Sequence, residues 1–191
     1  MIGARWPPSQ TAPGQTLVLF ALLLSLLVVP LGITVLAVNA QRDAVTQLQG
    51  IAQGAAFDAA HALDDAALAS GGLPRLASLH ADGGTFQMDA ATLATYSTPT
   101  AQATAEYRAY RDLRRGFTGY GRRIDALAEA AGARITLLDA ADDQPAADPD
   151  GGALYHHPTV CISADVLVGV LEHEGLAFRH HLHACAQSSA P

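Results

Sequence analysis

Two cysteines and a group of histidines and aspartates near the C-terminus are the residues of this chain best suited to chemistry. Residues 160–170 and 176–186 each alternate between apolar and polar side chains, and a short stretch centred on His173 separates them. Such alternation is typical of β-strands that bury one face. We therefore predict an antiparallel hairpin over residues 159–187.

The apolar alternation selects one register for this hairpin. Val168 then faces Phe178, and one face of the hairpin becomes almost wholly apolar. The same register sets Cys161 opposite Cys185, at a separation where a cross-strand disulfide is geometrically feasible. Two independent patterns agree on this register, so we predict a Cys161–Cys185 disulfide.

The opposite face of the hairpin carries a candidate metal site. Asp165 would lie opposite His181, His183 is two residues further along, and His156 and His157 lie upstream. Carboxylates and imidazoles are common zinc ligands. Histidines on a solvated strand face are commoner than ligands, so we predict no bound metal and no cofactor. A cysteine nucleophile beside a histidine would need a free thiol, and the predicted disulfide uses both thiols.

The element that fixes where this hairpin resides is an uncharged segment, residues 15–41. Its central part, Leu17 to Val38, contains nine Leu, five Val, one Phe and one Ile. At about 1.5 Å per residue, this part forms a helix of roughly 33 Å, enough to cross the hydrocarbon layer of a bilayer. Pro30 and Gly32 are tolerated in such helices. We predict a transmembrane anchor.

A secretory signal peptide is the alternative interpretation of this segment. Arg5 precedes the apolar run, and Val38, Asn39 and Ala40 offer a plausible cleavage position. The apolar core of a signal peptide is usually about 7–15 residues long, and this run is clearly longer. The length favours a retained anchor.

The charges that flank the anchor predict its orientation. The N-terminal tail contains Arg5 and no acidic residue, whereas Arg42 and Asp43 stand together after the apolar run. Because positive charge favours the cytoplasmic side, we predict a single-pass protein with a cytoplasmic N-terminus and an extracytoplasmic C-terminal domain. Disulfides persist in that oxidising compartment.

Composition argues against nucleic acid as a partner. The formal net charge is −7 at pH 7. The sequence contains arginine but no lysine. An acidic chain repels phosphate backbones, so we predict no nucleic-acid binding.

Nucleotide-binding loops, paired-carboxylate motifs, nucleophile elbows and zinc signatures are not found in the sequence, and we predict no enzymatic activity.

The sequence around the start of the anchor resembles a known family. Gly14-Gln15-Thr16 leads into Leu17-Val18-Leu19-Phe20-Ala21-Leu22 and then into an Ala-rich region that ends near Ala69. This order resembles the N-terminal segment of the TadE/TadG-like proteins of the tight-adherence (Flp-type) pilus assembly system. The resemblance implies a pilin-like fold and a minor pilin or pseudopilin-like role. It also implies pilus or secretion-system subunits as partners and self-association through the N-terminal helix.

One position distinguishes this chain from the TadE-type pseudopilins. Those proteins carry a Glu five residues after the Gly at which they are processed, and Leu19 stands at that position here. The chain is therefore more similar to the TadG-like members. The resemblance makes Gly14 and Gln15 a candidate processing site, and the alternative is that Gly14 begins an ordinary anchor.

The region after the anchor predicts a second helical segment. Residues 44–67 contain no Pro and are rich in helix formers, and Ser70, Gly71 and Gly72 end the pattern. Small residues on one side let another backbone approach closely, either in a filament or within one monomer. The apolar seam consists of Val45, Leu48, Ala52, Ala55, Ala59, Ala62 and Ala66.

Short elements fill the middle of the chain. Residues 85–88 and 134–138 predict strands, and Thr98 with Pro99 predicts a helix start. The apolar side of that helix consists of Tyr107, Tyr110, Leu113 and Phe117, and its predicted breakers are Gly116, Gly119 and Gly121. A further helix is predicted over residues 122–131, with Ile124, Leu127, Ala128 and Ala131 on one face.

Residues 139–152 predict a loop. Asp148-Pro149-Asp150-Gly151 within it is similar to a fragment of a calcium loop. The alternating ligands and the terminal Glu of an EF-hand are absent, so we predict no calcium site.

These elements together predict an α+β protein with a long N-terminal transmembrane helix, an Ala-rich helix, short helices and a C-terminal antiparallel sheet. We divide it into a tail (1–14), the anchor (15–41), the Ala-rich helix (42–70) and an extracytoplasmic domain (71–191). The predicted function is a membrane-anchored pilus-biogenesis protein. The alternatives are an anchored extracytoplasmic metal-binding or enzymatic module and a plain envelope protein unrelated to pili.

Overall fold

The computed structural model describes residues 13–80, 83–120, 124–169 and 177–188. The chain divides into two compact units, Met1–Gln41 and Arg42–Pro191. The fold class is α+β, as predicted: a long apolar N-terminal helix is followed by short helices and a C-terminal antiparallel sheet. The predicted tail before Pro13 lies outside the described residues.

The first part of helix α1 (Pro13–Ala60) consists mainly of apolar residues. The large hydrophobic side chains from Leu17 to Val38 are 44–74% exposed to solvent. Thr34 donates its hydroxyl to the Pro30 carbonyl at 2.8 Å, and Ser25 donates to the carbonyl of Leu22 at 2.9 Å. Polar hydroxyls satisfied inside the helix suit a lipid environment. The length and composition of this helix fit a single-pass membrane protein.

The later part of α1 belongs to the second unit and is buried there along its Ala seam. Leu48, Ala52, Ala55 and Ala59 are at most 2% exposed, as the seam predicts. The small side chains contribute little buried area each, but they allow close packing of the helix. The seam predicted from sequence is therefore a core surface of the second unit.

The predicted end of this helix near residue 70 is wrong, because α1 ends at Ala60. Leu63 forms a β-bridge with Leu76, and the backbone N–H of Asp64 donates to the Arg75 carbonyl at 2.9 Å. The Asp64 carboxylate then caps a new helix, α2 (Asp65–Ala69). Ala66 is exposed as a result and does not extend the seam.

The second unit contains one four-stranded antiparallel sheet. Its strands are β1 (Gly84–Gln87), β2 (Arg134–Leu138), β5 (Thr159–Gly169) and β6 (Ala177–Gln187), in the order β1-β2-β5-β6. A separate two-stranded ladder pairs β3 (Ala146–Ala147), which lies inside the region predicted as a loop, with β4 (Leu154–Tyr155), which lies just after that region. The predicted strands over residues 85–88, 134–138 and 159–187 are confirmed to within one residue at the described ends.

The β5–β6 hairpin has the predicted register. Cys161 pairs with Cys185, Asp165 with His181, and Val168 with Phe178. The predicted apolar face is buried over most of its length. The distal end differs, because Phe178 is exposed although its partner Val168 is buried. The buried members of the face are Val160, Ile162, Ala164, Val166, Val168, Leu182 and Ala184.

Helices pack on this sheet and on the Ala seam. Thr98 caps α4 (Pro99–Gln102), as predicted, by accepting a hydrogen bond from the backbone N–H of Ala101 at 3.2 Å. Helix α3 (Ala90–Thr95) precedes it, and α5 (Ala105–Thr118) follows after a break at residues 103–104. Of the predicted apolar side of α5, Tyr110, Leu113 and Phe117 are buried and Tyr107 is partly buried.

Gly116 does not break α5, contrary to the sequence prediction. A Cβ at this position would clash with the side chain of Ile51 on α1, so the glycine provides room for the two helices to meet. Gly119 is the C-cap residue, and Gly121 lies outside the described residues.

The predicted helix over residues 122–131 starts later, as α6 (Ala126–Gly132). Asp125 sets this start because its side chain accepts a hydrogen bond from the backbone N–H of Ala128 at 3.2 Å. The predicted apolar face is confirmed only in part. Ile124 is buried and Ala131 is partly buried, but Leu127 and Ala128 are exposed, and Ala130 is the buried residue of the helix.

Candidate functional site

The candidate site is built around the Cys161–Cys185 disulfide, which joins β5 and β6. The two Cα atoms are 4.1 Å apart. That spacing is close to the roughly 4.5 Å of non-hydrogen-bonded pairs in antiparallel sheets, where facing side chains come nearest. Register and backbone geometry therefore bring the two sulfurs together. Cys161 is buried and Cys185 is partly buried.

Asp148, in the loop between β3 and β4, reaches this disulfide. Its Oδ2 lies 2.6 Å from Nε2 of His183 and 3.5 Å from Sγ of Cys185. The third distance, from His183 Nε2 to Cys185 Sγ, is 3.5 Å. One carboxylate oxygen, one imidazole nitrogen and one sulfur thus form a compact group.

The loop is shaped to place this carboxylate. The backbone N–H of Asp150 donates to Asp148 Oδ1 at 3.0 Å, so one carboxylate oxygen holds the turn and the other faces His183. The guanidinium of Arg134 on β2 pairs with the Asp150 carboxylate at 3.2 Å. A Cβ at Gly151 would clash with the Asp148 carboxylate. The missing side chain at Gly151 is what permits the approach.

Burial and hydrogen bonding act in opposite directions on Asp148. Its side chain is 2% exposed, and burial alone would raise the pKa of the carboxyl. The backbone N–H of Asp150 and the side chain of His183 outweigh this effect and hold the pKa below its ordinary value. Asp148 is therefore a buried carboxylate that stays charged.

His183 is held on one side only. Nε2 contacts the Asp148 carboxylate, whereas Nδ1 is buried without a hydrogen-bond partner. The backbone carbonyl of His183 accepts a hydrogen bond from the Gln49 amide of α1. The strand is therefore fixed against α1, and the imidazole is oriented by the carboxylate.

A second carboxylate–imidazole pair lies on the same face. Nδ1 of His181 is 3.0 Å from Oδ1 of Asp165, and its Nε2 is 3.5 Å from the hydroxyl of Ser163. This is the contact order of a Ser-His-Asp triad. The side chains of His181 and Asp165 are more than half exposed, so water competes for each contact, and the serine contact is at the long limit of a hydrogen bond.

The structure does not bring the predicted metal candidates into one group. Asp165 and His181 pair with each other, whereas His183 turns to Asp148. Within the described residues, the three potential ligands that approach within 4.8 Å of one another are those of Asp148, His183 and Cys185. His156 and His157 are exposed.

The candidate processing residues Gly14 and Gln15 lie in the first turn of α1. Gly14 is exposed, and open space surrounds it. The structure therefore leaves processing at this position as a prediction.

Comparisons of the chain with protein-family models, with curated proteins and with solved structures find no match. The assignment of a function consequently rests on the helix, the domain and the site themselves.

Sequence reasoning missed two residues that matter in the second unit. The sequence places Asp148 only in a fragment similar to a calcium loop, although its Asp-Pro-Asp-Gly context does signal the observed turn. Glu106 is fully buried on α5, where Oε1 accepts hydrogen bonds from the Leu79 backbone N–H at 2.9 Å and from the Tyr96 hydroxyl at 3.2 Å. Glu106 precedes Tyr110 by four residues on the apolar side, which is the signal that could have found it.

Proposed function

We propose that this chain is a membrane-anchored subunit of the TadE/TadG-like type that acts in pilus biogenesis by helix packing and assembly. The observation that carries the proposal is that the two parts of α1 differ in composition and in exposure. One helix is apolar and exposed over residues 17–38, and over residues 44–60 it is buried along an Ala-lined face. Such a helix serves both as anchor and as the core helix of a domain.

The second unit supports a pilin-like role. The Ala-lined part of α1 shares one hydrophobic core with a four-stranded antiparallel sheet. The apolar residues 17–38 of α1 expose large hydrophobic side chains, which form the kind of surface that lateral packing in a membrane requires. Between apolar helices in a bilayer, van der Waals packing of the side chains drives such association.

The disulfide supports an extracytoplasmic location for the domain. Disulfides persist in oxidising compartments and are rare in the cytosol. The Cys161–Cys185 bond lies in the second unit, after the apolar helix. The proposed orientation therefore places Arg5 and the N-terminus in the cytoplasm and the second unit outside.

Helix packing is tested by disulfide cross-linking in native membranes. Leu26 is 74% exposed, and L26C places a thiol in the apolar part of α1, while the native cysteines remain paired with each other. D142C, on an exposed loop of the second unit, is the matched control. We expect mild oxidation to cross-link L26C to a second copy or to another membrane subunit and to leave D142C uncross-linked.

An L26C protein that stays monomeric under these conditions would contradict assembly through the helix. Adjacent genes for a secretion ATPase and a prepilin peptidase would further support the tight-adherence assignment. A neighbourhood without them would favour a plain envelope protein that packs by the same helix.

A further inference from the structure

The Asp148, His183 and Cys185 group holds three metal-ligand types around one point. We propose that, once the Cys161–Cys185 disulfide is reduced, the two thiolates together with His183 and Asp148 bind one Zn²⁺ ion. This site goes beyond the proposed assembly role. It also differs from the Asp165, His181 and His183 set that the sequence suggests.

The distances suit zinc. Zinc bonds of about 2.0–2.3 Å in tetrahedral geometry place neighbouring ligand atoms about 3.4–3.7 Å apart. Cys185 Sγ already lies 3.5 Å from His183 Nε2 and 3.5 Å from Asp148 Oδ2. The third edge, from Nε2 to Oδ2, is 2.6 Å and widens by less than about 1 Å when the ion replaces the shared proton.

Cys161 completes the set. Its sulfur is bonded to that of Cys185 but is not among the ligand atoms that lie within 4.8 Å of one another, so after reduction it must turn toward the ion, with the two sulfurs separating to a distance close to a tetrahedral edge. Two thiolates, one imidazole and one carboxylate form a four-ligand set of the kind that zinc accepts. The β5–β6 register supplies three of these ligands, and the turn at Asp148 supplies the fourth.

The surroundings hold the ligands in place without the metal. Asp148 Oδ1 is fixed by the Asp150 backbone N–H, which leaves Oδ2 for the ion. The Arg134–Asp150 pair anchors the same turn. Oriented and partly buried ligands reduce the cost of assembling a metal site.

The chemistry makes the disulfide and the zinc complex mutually exclusive. A trialkylphosphine reduces the S–S bond by taking the oxygen of one water molecule, whose two protons pass to the sulfurs. Zinc binding then displaces both thiol protons. The zinc complex is therefore a state of the folded, reduced chain only.

Zinc titration of the full-length protein in detergent tests the proposal, after phosphine reduction and with a competing chromophoric chelator. We expect one zinc per reduced chain and none per oxidised chain. Loss of one ligand in H183Q or D148N should weaken binding roughly 100-fold or more, since even supporting residues contribute 10–100-fold. The matched control is D165N/H181Q, which removes the neighbouring carboxylate–imidazole pair and should bind like the wild type.

Cobalt(II) gives an independent readout in the reduced wild-type protein, one that does not depend on how the variants fold. The proposed ligands produce intense visible bands of a tetrahedral ion together with a thiolate charge-transfer band. Bound zinc should also slow reoxidation of the thiols by oxidised glutathione. A weak octahedral cobalt spectrum, equal zinc affinity in wild type and H183Q, or equal loss in D165N/H181Q would overturn the proposal.

Discussion

His183 and Asp148 lie 35 residues apart in the sequence and 2.6 Å apart in the structure, measured from Nε2 to Oδ2. This contact joins the edge strand β6 to the turn between β3 and β4. It also places a charged, buried carboxylate beside the only two cysteines of the chain. We therefore expect changes at this contact to affect the stability of the second unit.

Loss of the disulfide should destabilise the second unit. Closing a loop with a sequence separation of 24 residues contributes about 3 kcal/mol in the chain-entropy model. We expect C161S/C185S to lower the free energy of unfolding by about that amount, as measured by denaturant titration. Phosphine reduction of the wild type without metal should give a similar loss. Equal stability of oxidised and reduced protein would contradict the prediction.

Gly151 should tolerate no side chain. In G151A the new methyl group meets the Asp148 carboxylate, and we expect a loss of about 1–3 kcal/mol in the free energy of unfolding. The control is G132A at the end of α6, where open space surrounds the new methyl group. If the two variants unfolded at the same denaturant concentration, the tight approach at Asp148 would be refuted.

Asp148 should give the protein an acid-sensitive component of stability. Its folded-state pKa lies below the ordinary value of 3.8, because hydrogen bonds from Asp150 and His183 outweigh burial. The carboxylate therefore contributes stability that is fully present above about pH 4 and is lost as the pH falls through the folded-state pKa. D148N should be less stable at neutral pH and should lack this acid-dependent loss.

Thermal unfolding followed between about pH 2.5 and 7, a range that spans the titration of carboxyl groups, checks this dependence. D142N, at an exposed position before β3, is the matched control and should keep the acid-dependent loss of the wild type. An unchanged pH profile in D148N would contradict the assignment.

Glu106 should be a structural residue whose acceptor oxygen matters more than its charge. Oε1 accepts hydrogen bonds from the Ser78 hydroxyl, the Leu79 backbone N–H and the Tyr96 hydroxyl. E106A leaves these donors without a partner in a buried site and should cost about 3 kcal/mol or more. E106Q keeps an acceptor oxygen and should cost about 1 kcal/mol. The order of the two variants in urea unfolding is the test, and equal losses would contradict it.

The contact between α1 and α5 should be sensitive to one methyl group. G116A introduces a clash with Ile51, and we expect a loss of about 1–3 kcal/mol. In I51A/G116A the clash is relieved, so the double variant should lose less than the sum of the single variants. A double-mutant cycle in denaturant measures this coupling, and simple additivity would show that the two residues do not meet.

The elements that the sequence predicts well are those whose signal is local and redundant. Apolar alternation and the cysteine spacing select the same β5–β6 register, and the structure has it. The Ala seam is likewise buried up to Ala59. Each prediction depended on a period of the side chains rather than on a distant partner.

The elements that the sequence does not predict depend on contacts between distant residues. Helix α1 ends at Ala60 because Leu63 forms a β-bridge with Leu76. The helical periodicity of the sequence does not predict that bridge. The pairing of His183 with Asp148 rather than Asp165 requires the position of a turn in another element. For the same reason, Gly116 acts as a contact with Ile51 and not as a helix breaker.

The central claim is that residues 17–38 hold this protein in a membrane, and alkaline carbonate extraction of native membranes tests it most directly. Carbonate strips peripheral proteins but leaves proteins that span the bilayer, because an apolar helix of this length cannot leave the hydrocarbon layer. We predict that the full-length protein stays in the membrane pellet. Recovery of the full-length protein in the soluble fraction would contradict the account.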